Sequence, residues 1–325
     1  MSNPPTASAI ELLPVGLFGS VMGLTGLSVA WSLAARRFAW PSFFADALAV
    51  IAALAFLLLV GAYATKLVVA GERVRADFGH PVGASLFGTV FVSMLLLPIV
   101  IAPVLPRLAL VVWTIGALGM AAFAWLIVDR WMGSRQQVAH VAPSWLVPVV
   151  GLLDIPLAMP VLGLGSIRPV MVFGLAVGLF FAVPLFTLVF ARLIFEERMP
   201  DTLQASLMIL LAPFAVGTSA YVATAGRVDL FAECLFGLTL FVLAVLAGRL
   251  RYLVRCCPFR VAWWAVSFPL AAVAVAAFRV AAADRNAFYD AAAIVLLAMA
   301  TLVIGWLLAR TILGIVRGEL AHLVG

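Results

Sequence analysis

The sequence predicts an all-α integral membrane protein of ten transmembrane helices, on three observations. Only 10% of its 325 residues are charged and 66% are hydrophobic, where a soluble domain carries about 25% charged residues. The mean hydropathy is +1.22. The apolar residues fall in ten runs, each near the length of about 20 residues that crosses a bilayer core. A chain so poor in charge could not cover its surface in water, so lipid is the solvent for most of it.

The runs lie at roughly 14–35, 44–69, 84–105, 108–129, 144–164, 170–194, 204–225, 229–250, 261–283 and 288–310. The first follows a short N-terminus, 1–13, without the basic segment of a signal peptide, so it is expected to stay as a helix. It opens at Pro14 and carries Gly16, Gly19, Gly23 and Gly26. The second (Ala47–Val60) and tenth (Ala291–Leu308) are apolar on every face. The third contains Pro98, the fifth Pro148, Pro156 and Pro160, the seventh Pro213 and the ninth Pro269. Among even runs only the sixth has an interior proline, Pro184. The eighth carries Glu233 near one end, read as interfacial. Short connections make successive helices antiparallel neighbours in one membrane domain, 14–316, with a short C-terminus at 317–325.

An interior proline removes a backbone hydrogen bond and clashes with the preceding turn. In lipid the freed groups need a neighbouring helix or water. The alternation therefore predicts kinked odd helices around an aqueous path and mostly straight even helices facing lipid. Prolines are also simply common in membrane helices, and that plainer reading stays open. Gly19-x-x-x-Gly23 and Gly174-x-x-x-Gly178 are candidate close-packing faces.

Net charge is +6, but the basic residues sit in short loops beside apolar runs, where they act as topology signals rather than as a nucleic-acid surface. One side of the membrane receives Lys66, Arg73, Arg75, Arg130, Arg135, Arg192, Arg198, Arg249, Arg251, Arg255, Arg260, Arg310 and Arg317. The other receives Arg36, Arg37, Arg107, Arg168, Arg227, Arg279 and Arg285. The positive-inside rule then expects both termini in the cytoplasm. Cys234, Cys256 and Cys257 form no C-x-x-C, and His80, His140 and His322 are scattered, so no metal or cofactor is expected. No Gly-x-Ser-x-Gly, His-Glu-x-x-His or P-loop appears, and no enzyme is expected.

Five segments, in order, carry a resemblance: Pro14–Trp31, Val74–Pro81, Pro143–Pro148, Leu211–Tyr221 and Trp264–Phe268. Together they resemble the bacterial tellurite-resistance membrane protein family, related to the slow anion channels of plant guard cells. The resemblance spans nearly the whole chain. It implies five helical hairpins around a quasi-five-fold axis, with odd helices inside and even helices outside. It also implies a homotrimer in the bacterial inner membrane, with one pore per subunit. In that family a phenylalanine on the ninth helix blocks the pore midway, and the matching residue is Phe268; by sequence alone it is one of 23 phenylalanines. Family members include anion channels, dicarboxylate carriers and sulfite exporters, so fold carries over better than substrate.

An anion in such a path needs compensation for lost water, but a fixed cation would trap it, so partial charges are the better compromise. Gly16, Gly19, Gly23, Gly217 and Thr218 are candidate lining positions, with Pro98, Pro148, Pro213 and Pro269 on the same helices. No lysine or arginine lies in the middle of an odd run, which suits weakly selective passage of small anions. Asp154, between Pro148 and Pro156, departs from the family pattern. An ionised Asp at the centre of a membrane helix costs about 2.5–3.5 kcal/mol on insertion scales. Three readings stay open for it: a protonated group coupling proton to anion, a place near a wet mouth, or a bond to a freed amide. The expected function is a gated channel for chloride-like, nitrate-like or oxyanion solutes. The alternative is a carrier or exporter of dicarboxylate, sulfite or tellurite-type oxyanions, proton-coupled through Asp154. A membrane enzyme subunit, receptor or scaffold without flux is the third class.

Overall fold

The structure is a computed structural model that describes residues 9–256, 259–284 and 286–318, with residue 9 and residues 249–256 by backbone alone. Arg285, Cys257, His322 and the termini 1–8 and 319–325 lie outside the described residues, as do the side chains of Arg249, Arg251, Arg255 and Cys256. Among the described residues there are helices and no strand.

Ten apolar helical segments follow one another: α1 Val15–Phe38, α2 Phe43–Val69, α3 Gly83–Ile101, α4 Pro106–Gly133, α5 Pro143–Ala158 and α6 Gly165–Phe195. The remainder are α7 Asp201–Ala225, α8 Leu230–Cys256, α9 Val261–Ala283 and α10 Ala287–Val316. Nine are long and apolar enough to cross a membrane; α5 is shorter. Its run was expected to reach residue 164, but the helix stops at Ala158. Pro160 has no N–H to continue the ladder, although Met159 before it still has helical backbone. The chain then turns, with Gly163 at φ 68°.

Burial divides the segments into two sets. In α1, α3, α7 and α9, 56% to 89% of the most apolar stretch is buried inside the protein, against 11% to 39% in α2, α4, α6, α8 and α10. In α5 every residue except Val147 is buried. The inner segments touch in a closed order, α1–α3–α5–α7–α9–α1, and each packs on the even helix that follows it. Large apolar side chains such as Leu58, Leu118, Phe180 and Leu302, each at least 70% exposed, cover the even helices. That much exposed apolar surface marks contact with lipid.

Winding also differs between the sets. Among the described residues α2, α4, α6, α8 and α10 are α-helical apart from a 3₁₀ lead-in at Gly165–Ile167, whereas four inner segments contain substantial 3₁₀ stretches: Val15–Phe18, Pro143–Leu146, Gly151–Asp154, Asp201–Leu211 and Val261–Val266. Pro148, Pro156, Pro213 and Pro269 all lie in the first turn of the α stretch that follows such a 3₁₀ piece. There the missing N–H costs least. So four of the odd-helix prolines mark changes of winding rather than kinks in continuous α-helix; Pro98 and Pro184 are inside α-helices.

Carbonyls left by the changes of winding find side-chain donors. Thr89 Oγ1 lies 3.2 Å from Val15 O and Ser93 Oγ 3.1 Å from Phe18 O, each sharing its one proton with a closer carbonyl of its own helix, Leu86 O (2.6 Å) and Thr89 O (2.8 Å). Ser267 Oγ shares its proton between Trp264 O (2.7 Å) and Gly19 O (3.1 Å), and Trp113 Nε1, from α4, donates to Ile155 O (3.2 Å). These bonds answer the rule that buried backbone groups must be paired in a membrane. Both glycine pairs are packing faces. A Cβ at Gly23 would overlap Ser267 on α9, and one at Gly174 would lie 2.6 Å from Leu152 O on α5.

Candidate functional site: two cavities along the inner ring

Two cavities are lined by the inner helices alone. The first has a volume of about 70 Å³ and draws on the early residues of all five, including Gly16, Gly19, Leu86, Leu146, Asp154, Ile209 and Trp264. The second, about 30 Å³, draws on later residues, including Gly26, Leu96, Leu157, Ser219, Ala272 and Arg279. The inner helices therefore run the same way, and the cavities are an N-side and a C-side chamber. Each exceeds the ~15 Å³ that one water needs.

Phe268 lines both chambers, as does Val216. It is the second residue of the α stretch Ser267–Ala283, directly after the 3₁₀ piece of α9. The residue is 8% exposed. Gly26 on α1 lies beside it: a Cβ there would make ordinary contact with Phe268 Cδ2 at 3.7 Å, while the close approach is to Ala271 Cβ at 2.9 Å.

The other sequence candidates divide. Gly16, Gly19, Asp154 and Pro269 line the N-side chamber with Phe268. Gly23, Pro98, Pro148, Pro213, Gly217 and Thr218 are not among the residues lining either chamber. Gly23 serves the α1–α9 contact instead. Gly217 faces α6, where a Cβ would meet Leu179 Cδ2 at 3.1 Å. Thr218 is fully buried and donates back to Phe214 O at 2.8 Å. Pro98, Pro148 and Pro213 are buried.

Asp154 ends the 3₁₀ stretch Gly151–Asp154 and is 2% exposed. Its Oδ1 has no hydrogen-bond partner among the described residues. It is the one acidic residue lining the N-side chamber, whose other lining groups are mostly apolar. Thr89, also there, spends its hydroxyl on Leu86 O and Val15 O. Trp264 turns its Nε1 away to Thr311 Oγ1 on α10, 2.9 Å.

Sequence reasoning missed Arg279 by treating it as a flanking charge. It lines the C-side chamber within α9. A signal was present: Phe268, Ala272, Val275 and Arg279 recur at steps of four, three and four, which is one helical face. The same periodicity on α7 picks out Ala212, Val216 and Ser219 and passes over Gly217 and Thr218.

Among the described residues, ten apolar helical segments with two chambers lined by an inner set of five define a multi-pass membrane protein. The family model for SLAC1, described as a voltage-dependent anion channel, matches residues 13–312, and the chain belongs to that family. It is 26% identical over 308 residues to the S-type anion channel SLAH3 of Arabidopsis thaliana, covering 92% of this chain and 48% of that protein. It is 27% identical over 320 residues to the tellurite resistance protein TehA homolog of Haemophilus influenzae, covering 94% and 92%. It is 25% identical over 281 residues to the guard cell S-type anion channel SLAC1 of Arabidopsis thaliana, covering 83% and 50%. The chain thus spans about half the length of these plant relatives and nearly all of the bacterial one.

Proposed function

We propose that this protein is a gated channel for small inorganic anions and that the aromatic ring of Phe268 is its gate. The observation that supports this reading most is that Phe268, together with Val216, lines both chambers of the inner ring, and it is the aromatic one of the two. A ring in that position blocks an ion sterically and keeps the constriction dry, a recognised way to gate a pore. The names of the plant relatives support an anion as the permeating species. With an inside-negative potential, each monovalent anion is driven outward by about 2.3 kcal/mol per 100 mV, so the channel would serve efflux and charge balance. The basic flanks support an inner-membrane orientation with both termini cytoplasmic, and labelling of single cysteines from either side tests it. A homotrimer with one route per subunit is the assembly that the family resemblance suggests; mass measurement of the purified protein tests it.

The deciding experiment is current through purified protein in a planar bilayer under a chloride gradient. Wild type should be nearly silent. Phe268→Ala should conduct and reverse near the chloride potential. A silent variant of normal fold would sink the gate.

One observation favours a second reading, a proton-coupled carrier for dicarboxylate, sulfite or another oxyanion. Asp154 is a buried carboxyl with an unpaired oxygen in a chamber that an anion would have to cross. Saturable, pH-dependent uptake without current would favour that carrier.

A further inference from the structure

Two side chains carrying a buried polar atom with no hydrogen-bond partner among the described residues line the C-side chamber. Ser219 Oγ, on α7, is enclosed and has no hydrogen-bond partner. Arg279 Nε, on α9, is enclosed and equally without one. Among the described residues no carboxylate pairs with Arg279, whereas Asp290, Asp77, Glu11 and Asp229 each pair with another cation. Asp284, the acid next along the chain, is exposed and forms no ion pair with it. A cation inside a membrane span is costly and is found paired or facing a watery route. An arginine with no counter-ion among the described residues, beside an unused hydroxyl, in a space large enough for a water-sized guest, is a set of donors without an acceptor.

We infer that the C-side chamber is a binding site for a small inorganic anion, held by the Arg279 guanidinium and the Ser219 hydroxyl on the far side of Phe268 from Asp154. Guanidinium donates through planar N–H groups, and a chamber of about 30 Å³ suits a halide or nitrate better than a larger oxyanion. Arg279 sits one turn from the end of α9 rather than at the constriction. There its field concentrates anions at the mouth without fixing one in the narrowest part, which conduction requires. The site rests on the channel reading above, and the experiment separates the two.

Full-length protein carrying Phe268→Ala is compared in planar bilayers with the same chain carrying in addition Arg279→Gln, Arg279→Lys or Ser219→Ala. Arg279→Gln is expected to lower chloride conductance at low salt by about tenfold, the lower bound for charge focusing in a cleft. Arg279→Lys should recover most of the loss, and Ser219→Ala should show a smaller one. In 1 M salt, where screening acts within about 3 Å, the difference should shrink. If Phe268→Ala conducts chloride and Arg279→Gln matches it at low salt, the site is wrong while the channel stands. Arg279 would then only offset the negative end of the α9 dipole. If Arg279→Gln fails to fold, Ser219→Ala decides by the same criterion. If no variant conducts, the channel reading fails. The site is then judged by the rise in melting temperature that nitrate gives the detergent-purified wild type at constant ionic strength. Loss of that rise in Arg279→Gln supports the site; its absence from wild type or its persistence in the variant overturns it.

Discussion

Arg37 and Asp290 form a two-pronged ion pair, with Nε to Oδ1 at 2.9 Å and Nη2 to Oδ2 at 3.0 Å. The pair ties the last turn of α1 to the first turn of α10. The first and last helices of the domain are thereby joined at one end, and Trp31 Nε1 to Thr301 Oγ1 (3.1 Å) joins them further along. Arg37→Gln and Asp290→Asn are each expected to lower the melting temperature in detergent. The double variant should be no less stable than the worse single one, because the planar pair acts as a unit. Additive losses in that cycle would show that the two groups act separately.

Asp229 caps α8 and should make stability acid-sensitive. Its Oδ2 accepts from the Tyr221 hydroxyl at 2.7 Å and from Arg227 Nε at 3.1 Å; Oδ1 accepts from the amides of Phe231 and Ala232. The Tyr221 bond first, then the Ala232 amide, Arg227 and the Phe231 amide, hold this carboxyl below the usual carboxylate range against a partial opposing effect of burial. A carboxyl depressed in the folded state stabilises above its unfolded value, near about 4. That stability is lost as pH falls through the folded value. Melting temperature followed from pH 7 downward should drop at the acid end in wild type and drop less in Asp229→Asn. Tyr221→Phe, which removes the largest cause, should move the acid limb to higher pH.

Gly174 and Gly178 differ in what they face. A Cβ at Gly174 would meet the backbone carbonyl of Leu152, whereas one at Gly178 would meet the side chain of Leu153 at 2.6 Å. A leucine can turn aside and a carbonyl in the 3₁₀ stretch of α5 cannot. Gly174→Ala should therefore cost the upper part of the roughly 1–3 kcal/mol of an overpacked core, and Gly178→Ala less. Gly165→Ala, with nothing within 4 Å, is the control. Equal denaturation midpoints for the three would contradict the packing described for α6 on α5.

Asp154→Asn separates channel from carrier. In the channel reading, removing a carboxyl from the N-side chamber leaves the Phe268→Ala current at least as large, since nothing negative then opposes an anion. In the carrier reading the same change abolishes the pH dependence of uptake. Bilayer current and vesicle uptake on one preparation distinguish them.

The fold was legible because its cause is compositional: ten apolar runs in a chain with few charges leave lipid as the only solvent. The odd–even division was legible because interior prolines concentrate in the inner segments, with exposed Pro184 on α6 the exception. The end of α5 was not, since Pro160 stands inside an uninterrupted apolar run and hydropathy does not register a missing N–H. The chamber lining was half legible. Gly16 and Gly19 share the face of Met22, but Gly217 and Thr218 were chosen for being small, and the path on α7 follows the periodicity of Ala212, Val216 and Ser219 instead. Arg279 was hidden because an arginine near the end of a run looks like any other flanking charge until the face it shares with Phe268 is traced.

Tighter winding also sets how far the shortest inner segment reaches. A 3₁₀ stretch rises about 2.0 Å per residue against 1.5 Å in an α-helix. In α5 the residues Pro143–Leu146 and Gly151–Asp154 are wound this way, half of the segment. They extend it to roughly 28 Å, where an all-α segment of the same composition would measure roughly 24 Å. The hydrocarbon core is about 30 Å thick. Too short by residue count, α5 gains by its pitch most of the span that its longer neighbours gain by length.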